Sequence, residues 1–173
     1  NTLTQHPDIS PSGLLSVINS TIVANVSKMD EDKYMTITVL TAHEEGRFAY
    51  SGLHQDILVY RANTGKVENV DTNGCWLGIF KDIKDKVTDE TLTLGPDDVM
   101  MLYTDGITEA WDKNTEDANR HTEETMFGQH RLEKIFQQHG GRSPEAIQNA
   151  ILREMENYET EDDITIVLIK RLS

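Results

Sequence analysis

The chain has 173 residues with 37% hydrophobic content, enough for one substantial core and short for two. Its 30 acidic against 16 basic residues give a formal net charge of −14, a balance that opposes phosphate backbones and anionic membranes and argues against nucleic acid or a membrane contact from this segment. A single cysteine, Cys75, excludes an internal disulfide and a paired-thiol zinc site and points to a reducing, cytoplasmic compartment. No stretch approaches the roughly 18 apolar residues of a membrane-spanning helix, and the start lacks the charged-then-apolar pattern of a signal peptide.

Ser10-Pro11 supplies a capping hydroxyl followed by a proline at the first helical position. Leu14, Ile18, Ile22 and Val26 recur every four residues, flanked by Leu15 and Val23, so a core-packing helix is predicted from Pro11 to Lys28. The period then changes. Tyr34 to Leu40 is rich in Thr, Val and Ile, and a turn through Ala42 to Gly46 leads into Arg47 to Ser51, which reads as a β-hairpin. Ile57 to Arg61 and Val67 to Val70 form a second hairpin across Asn63-Thr64-Gly65. Val87 to Leu94 alternates, and Gly95-Pro96-Asp97-Asp98 turns the chain into an apolar strand from Val99 to Tyr103. Polar, aperiodic residues from Asp112 to Glu124 read as a mobile loop. Helices follow over Phe127 to Gln138 and from Ser143-Pro144 onward, with Ile147, Ile151 and Met155 in register, and Ile164 to Lys170 is a closing strand. Helices bracketing antiparallel hairpins define an α+β layered domain.

Two segments carry the chemistry. In Met100-Met101-Leu102-Tyr103-Thr104-Asp105-Gly106-Ile107-Thr108-Glu109-Ala110 a strand stops at an Asp-Gly turn, and in Glu161-Asp162-Asp163-Ile164-Thr165-Ile166 a pair of acids enters one. Either alone is an ordinary surface feature. Together, two rigidly held carboxylates are what a hard divalent cation such as Mg²⁺ or Mn²⁺ requires, and they read as half of a metal site.

Tyr103-Thr104-Asp105-Gly106-Ile107-Thr108-Glu109-Ala110 and Asp162-Asp163-Ile164-Thr165, with Gly46 to Arg61 and Trp76-Leu77-Gly78-Ile79, resemble the metal-dependent PPM (type 2C) serine/threonine phosphatases. The resemblance is to the bacterial subgroup of the stage II sporulation protein E phosphatase and the sigma-factor regulators. It implies an antiparallel β-sandwich flanked by helices, here a single partial domain over residues 1–173 lacking the N-terminal strands that carry the family's first metal ligands. It also implies that Asp105 and Asp162 are metal ligands of a two-ion Mn²⁺ or Mg²⁺ centre, with Asp163 supporting the turn and the choice of Asp162 over Asp163 left open. Two ions would activate a water to attack phosphorus, so no side chain is assigned as a catalytic nucleophile.

The function so implied is protein serine/threonine phosphatase activity on a phosphorylated regulatory protein such as an anti-sigma-factor antagonist, with the truncated chain inactive by itself. An unpaired sheet edge would favour a homodimer. The alternative is a noncatalytic phosphatase-like module that binds a partner in a signalling pathway. A calcium-binding β domain is disfavoured because no Asp-x-Asp-x-Asp-Gly loop is present. His54 sits where the family has a turn histidine, although Ser51-Gly52-Leu53 replaces the usual Asn-Ala-Gly. The other five histidines (6, 43, 121, 130 and 139) read as surface residues without metal spacing. Glu109 reads as a solvated acid and Cys75 as structural, without a basic neighbour to activate it.

Overall fold

A computed structural model of the chain describes residues 4, 6–29, 33–116, 120, 122 and 124–173. They group into two units, Asn1–His54 with Thr72–Thr93, and Gln55–Asp71 with Leu94–Ser173.

The first unit begins with helix α1, Pro11–Met29. Its start is doubly capped: the Gly13 N–H donates to Ser10 Oγ at 3.3 Å, and the Ser12 N–H and hydroxyl both donate to the Asp89 carboxylate at 2.7 Å. The helix lies against β1 (Ile37–Ala42) and β2 (Arg47–Leu53), which form the expected antiparallel hairpin, and β5 (Glu90–Thr93) pairs with the far side of β2. Leu15, Leu77, Ile83 and Val87 make the core, with Ile18 and Ile22 packed on it. The buried face of α1 is therefore rotated from the predicted stripe. Leu15 is fully buried and Leu14 only half-buried, and Asn19, one turn after Leu15 on the same face, is buried too. Its amide donates to Phe80 O at 2.8 Å and accepts from the Gly78 N–H at 2.9 Å, so a polar side chain pins the Leu77–Phe80 segment to the helix.

The second unit is a four-stranded antiparallel sheet in the order β4-β3-β6-β9, from Lys66–Val70, Ile57–Arg61, Val99–Tyr103 and Ile166–Lys170. The Gly95 to Asp98 turn thus leads from a strand of one sheet into a strand of another. Short helix α2 (Asp105–Thr108) follows β6, then the two-residue β7 (Trp111–Asp112), α3 (Gln129–His139), α4 (Pro144–Met155) and β8 (Tyr158–Glu159). The predicted 112–124 loop begins inside the β7–β8 ribbon; residues 117–119, 121 and 123 lie outside the described ones.

Leu132, Ile135 and Phe136 of α3 and Ile147, Ile151 and Met155 of α4 are buried against Leu58, Val99, Met101 and Tyr103 of the sheet, each helix contributing one apolar face. The Ser143 hydroxyl caps α4 by accepting from the Ala146 N–H at 3.3 Å. Gly140 is required by packing, since a Cβ there would enter the Tyr60 ring. The sequence-derived α+β class is observed: antiparallel sheets accompanied by helices. Among the described residues no helix is long and apolar enough to cross a membrane.

Candidate metal centre

β6 and β9 are antiparallel neighbours, with Tyr103 opposite Ile166 at one end of the ladder. The chain leaves β6 through Thr104 into Asp105, and it enters β9 from Asp162 and Asp163. The pairing therefore brings together the two segments that hold the candidate acids.

Thr104 stitches them. Its N–H donates to Thr165 O at 3.2 Å, its hydroxyl donates to Asp163 O at 2.9 Å, and that hydroxyl accepts from the Thr165 N–H at 3.0 Å. Gly106 closes the gap. A Cβ at this position would stand 2.6 Å from Asp163 O and 3.0 Å from Asp162 O, so only glycine permits the approach. The glycine serves contact rather than an unusual φ. On the other side, the Thr160 hydroxyl bridges the Asp162 N–H at 3.1 Å and the Asp162 carbonyl at 3.2 Å. The Asp105 turn is fixed by the Glu109 N–H, which donates to Asp105 O at 2.8 Å.

Main-chain groups of Asp105, Asp162 and Asp163 are thus engaged, while their carboxylates are not. Asp105 is half-buried and Asp162 and Asp163 are exposed, and among the described residues none of the three carboxylates has a hydrogen-bond or ion-pair partner. Free oxygen donors on a braced backbone suit a hard cation. Two segments do not complete a site: among the described residues no group of three or more His, Cys, Asp or Glu is arranged to hold a metal ion.

Each remaining candidate has surroundings of its own. His54 belongs to the first unit, where its backbone N–H and C=O are both engaged by the Thr72 hydroxyl at 3.1 and 2.7 Å, and its Nδ1 lies 3.0 Å from Thr36 Oγ1. Glu109 is exposed, as expected of a solvated acid. Cys75 is half-buried with Lys86 nearby, so a basic neighbour does exist in space, but burial dominates and pushes the thiol up. His6, His43 and His130 are exposed, whereas His139 is half-buried; His121 lies outside the described residues. Thr104 and Gly106 lie within the sequence motif, where Asp-Gly reads as a turn. Their roles are contacts with a strand distant in sequence, and nothing in the local pattern signals them.

Over residues 1–172 the chain matches the family model of stage II sporulation protein E, SpoIIE, and it belongs to that family. Its fold is shared with solved phosphatase domains. The SiaA-PP2C domain of Pseudomonas aeruginosa superposes with a TM-score of 0.74 at 16% identity, over 98% of this chain and 64% of that one. The phosphatase domain of SpoIIE from Bacillus subtilis, presoaked with manganese, gives a TM-score of 0.51 at 16% identity, over 91% and 65%. RsbX in complex with magnesium gives 0.52 at 17% identity, over 91% and 73%. The chain thus spans under two thirds of the first two domains. No curated protein matches it in sequence.

Proposed function

We propose that this chain is part of a cytoplasmic metal-dependent protein serine/threonine phosphatase, and that Asp105 and Asp162 contribute to its Mn²⁺ or Mg²⁺ centre. The observation that carries this reading is the junction of β6 and β9, where Gly106 and Thr104 hold two acid-bearing segments together and leave the carboxylates unpartnered. Membership of the SpoIIE family and the manganese and magnesium structures of its relatives support it. Bound divalent ions would supply an acidified water and charge neutralisation at a phosphoryl group. Asp105 and Asp162 would hold them, while Thr104, Gly106 and Thr160 fix the backbone from which those acids project. The substrate is a phosphoserine or phosphothreonine on a folded regulatory protein, such as an anti-sigma-factor antagonist.

One observation favours the alternative, a noncatalytic partner-binding module: no group of three candidate ligands gathers among the described residues. A manganese-dependent assay on the full-length gene product with a phosphoserine protein separates the two. Activity lost in both Asp105→Asn and Asp162→Asn supports the phosphatase. Metal-independent binding of the phosphoprotein without turnover supports the module.

A further inference from the structure

An acidic chain should pair its arginines with ease, yet two of them have no partner among the described residues and stand around one pocket. Between the C-terminal end of α3 and the outer face of α4 lies a pocket of about 250 Å³ lined by His139, Arg142, Ala146, Asn149, Ala150 and Arg153. The four α4 residues follow helical spacing and share one face, where Ala146 and Ala150 leave a shallow floor between the longer side chains. Neither the Arg142 nor the Arg153 guanidinium has a hydrogen-bond or ion-pair partner among the described residues. A third cation is close, since Lys170 Nζ donates to Arg142 O at 3.4 Å while also lying 3.9 Å from an Asp97 carboxylate oxygen, and among the described residues the buried His139 Nδ1 has no partner. The wall is cationic and rich in donors, in a chain carrying a net charge of −14.

We infer that this pocket binds a phosphate dianion, either free or as a monoester on a polypeptide side chain. Guanidinium forks match tetrahedral oxyanions with several parallel N–H donors, and Asn149 adds an amide. The volume lies just below the range of drug-sized ligand pockets, which suits a small anion and not a nucleotide or cofactor. Both arginines are exposed, so binding is weak and sensitive to salt. No metal is involved. The site is separate from Asp105 and Asp162 and does not depend on their role.

The test is a titration of the chain in metal-free, EDTA-containing buffer, followed by amide and imidazole NMR shifts, with inorganic phosphate, a phosphoserine peptide and malonate as separate probes. Saturable shifts centred on His139, Asn149 and Arg153, with a dissociation constant on the order of 1 mM or tighter for phosphate or phosphopeptide, are expected. The stronger of those two probes identifies whether free phosphate or a phosphorylated side chain is the ligand. Arg142→Gln combined with Arg153→Gln weakens binding at least about tenfold. Ala146→Glu keeps both arginines but puts a carboxylate in the groove, and it produces the same loss; Asp105→Asn leaves binding unchanged. Malonate binding as tight as phosphate, shifts that do not saturate, or phosphate affinity unaffected by the double variant would overturn the inference.

Discussion

Strand β6 carries an aspartate at each end, and the two live in opposite circumstances. Asp98, just before the strand, is buried and saturated: its carboxylate accepts from Arg61 Nη1 at 2.9 Å, the Ala62 N–H at 2.8 Å and the Gly95 N–H at 2.9 Å. Arg61 is held in turn by Glu68 at 2.7 Å. Asp105, just after the strand, has an engaged backbone and an unpartnered, half-buried carboxylate. One turn spends its acid on the fold, and the other keeps its acid available. Both are Asp beside an apolar strand in sequence, so the difference lies in what the tertiary structure brings to each side chain.

The largest effect expected from breaking this contrast is at Asp98. Asp98→Ala leaves the Arg61 guanidinium and two N–H groups without their acceptor and costs about 3 kcal/mol, measured by urea unfolding. Asp105→Asn, by comparison, changes stability by no more than about 0.5 kcal/mol. Equal losses at the two positions would erase the distinction.

Gly106→Ala comes next. The new methyl cannot coexist with the carbonyls of Asp162 and Asp163, so the β6 and β9 ends must separate, at a cost of about 2 kcal/mol. Amide exchange should quicken at Thr165 and Thr104 before it does at the β3–β4 hairpin. An unchanged exchange pattern would mean that the junction is not tightly packed.

The smallest effect is with acid. Burial tends to raise the Asp98 carboxyl, but the Arg61 hydrogen bond and the Ala62 and Gly95 N–H groups outweigh it and hold the pKa below its ordinary value of 3.8. Because the folded value is depressed, this stabilisation is complete above the unfolded pKa and fades as pH falls below about 4 through the folded one. Asp89 adds to it in the same direction, with its depression by Ser12 and Ser10 likewise overcoming burial. Unfolding free energies measured between pH 7 and 3 should decline more steeply for the native chain than for Asp98→Asn.

The elements with a clear period were legible in the sequence: the α1, α3 and α4 helices, the β1–β2 and β3–β4 hairpins, and the β6 and β9 strands. Segments too short to have a period were not. The β7–β8 ribbon pairs Trp111 with Glu159 through two residues per strand, and α2 is a single turn. Asn19 was invisible because its partners, Phe80 O and the Gly78 N–H, are backbone groups far along the chain. At the candidate centre, the local pattern marked the Asp105 turn and the Asp162-Asp163 pair, because an acid beside a turn is a local feature, while Asp105 and Asp162 as the ligands are what the family resemblance implies. The Thr104 and Gly106 contacts that draw the two segments together are long-range, and sequence spacing has no access to them.

The most direct measurement for the metal-holding role of Asp105 and Asp162 is paramagnetic broadening of backbone amide signals during titration of the chain with Mn²⁺. Broadening should begin at residues 103–109 and 161–165, develop only at millimolar metal as expected for an incomplete ligand set, and disappear in Asp105→Asn. Broadening centred instead on the Glu68 and Asp98 region, or a pattern that Asp105→Asn leaves unchanged, would contradict it.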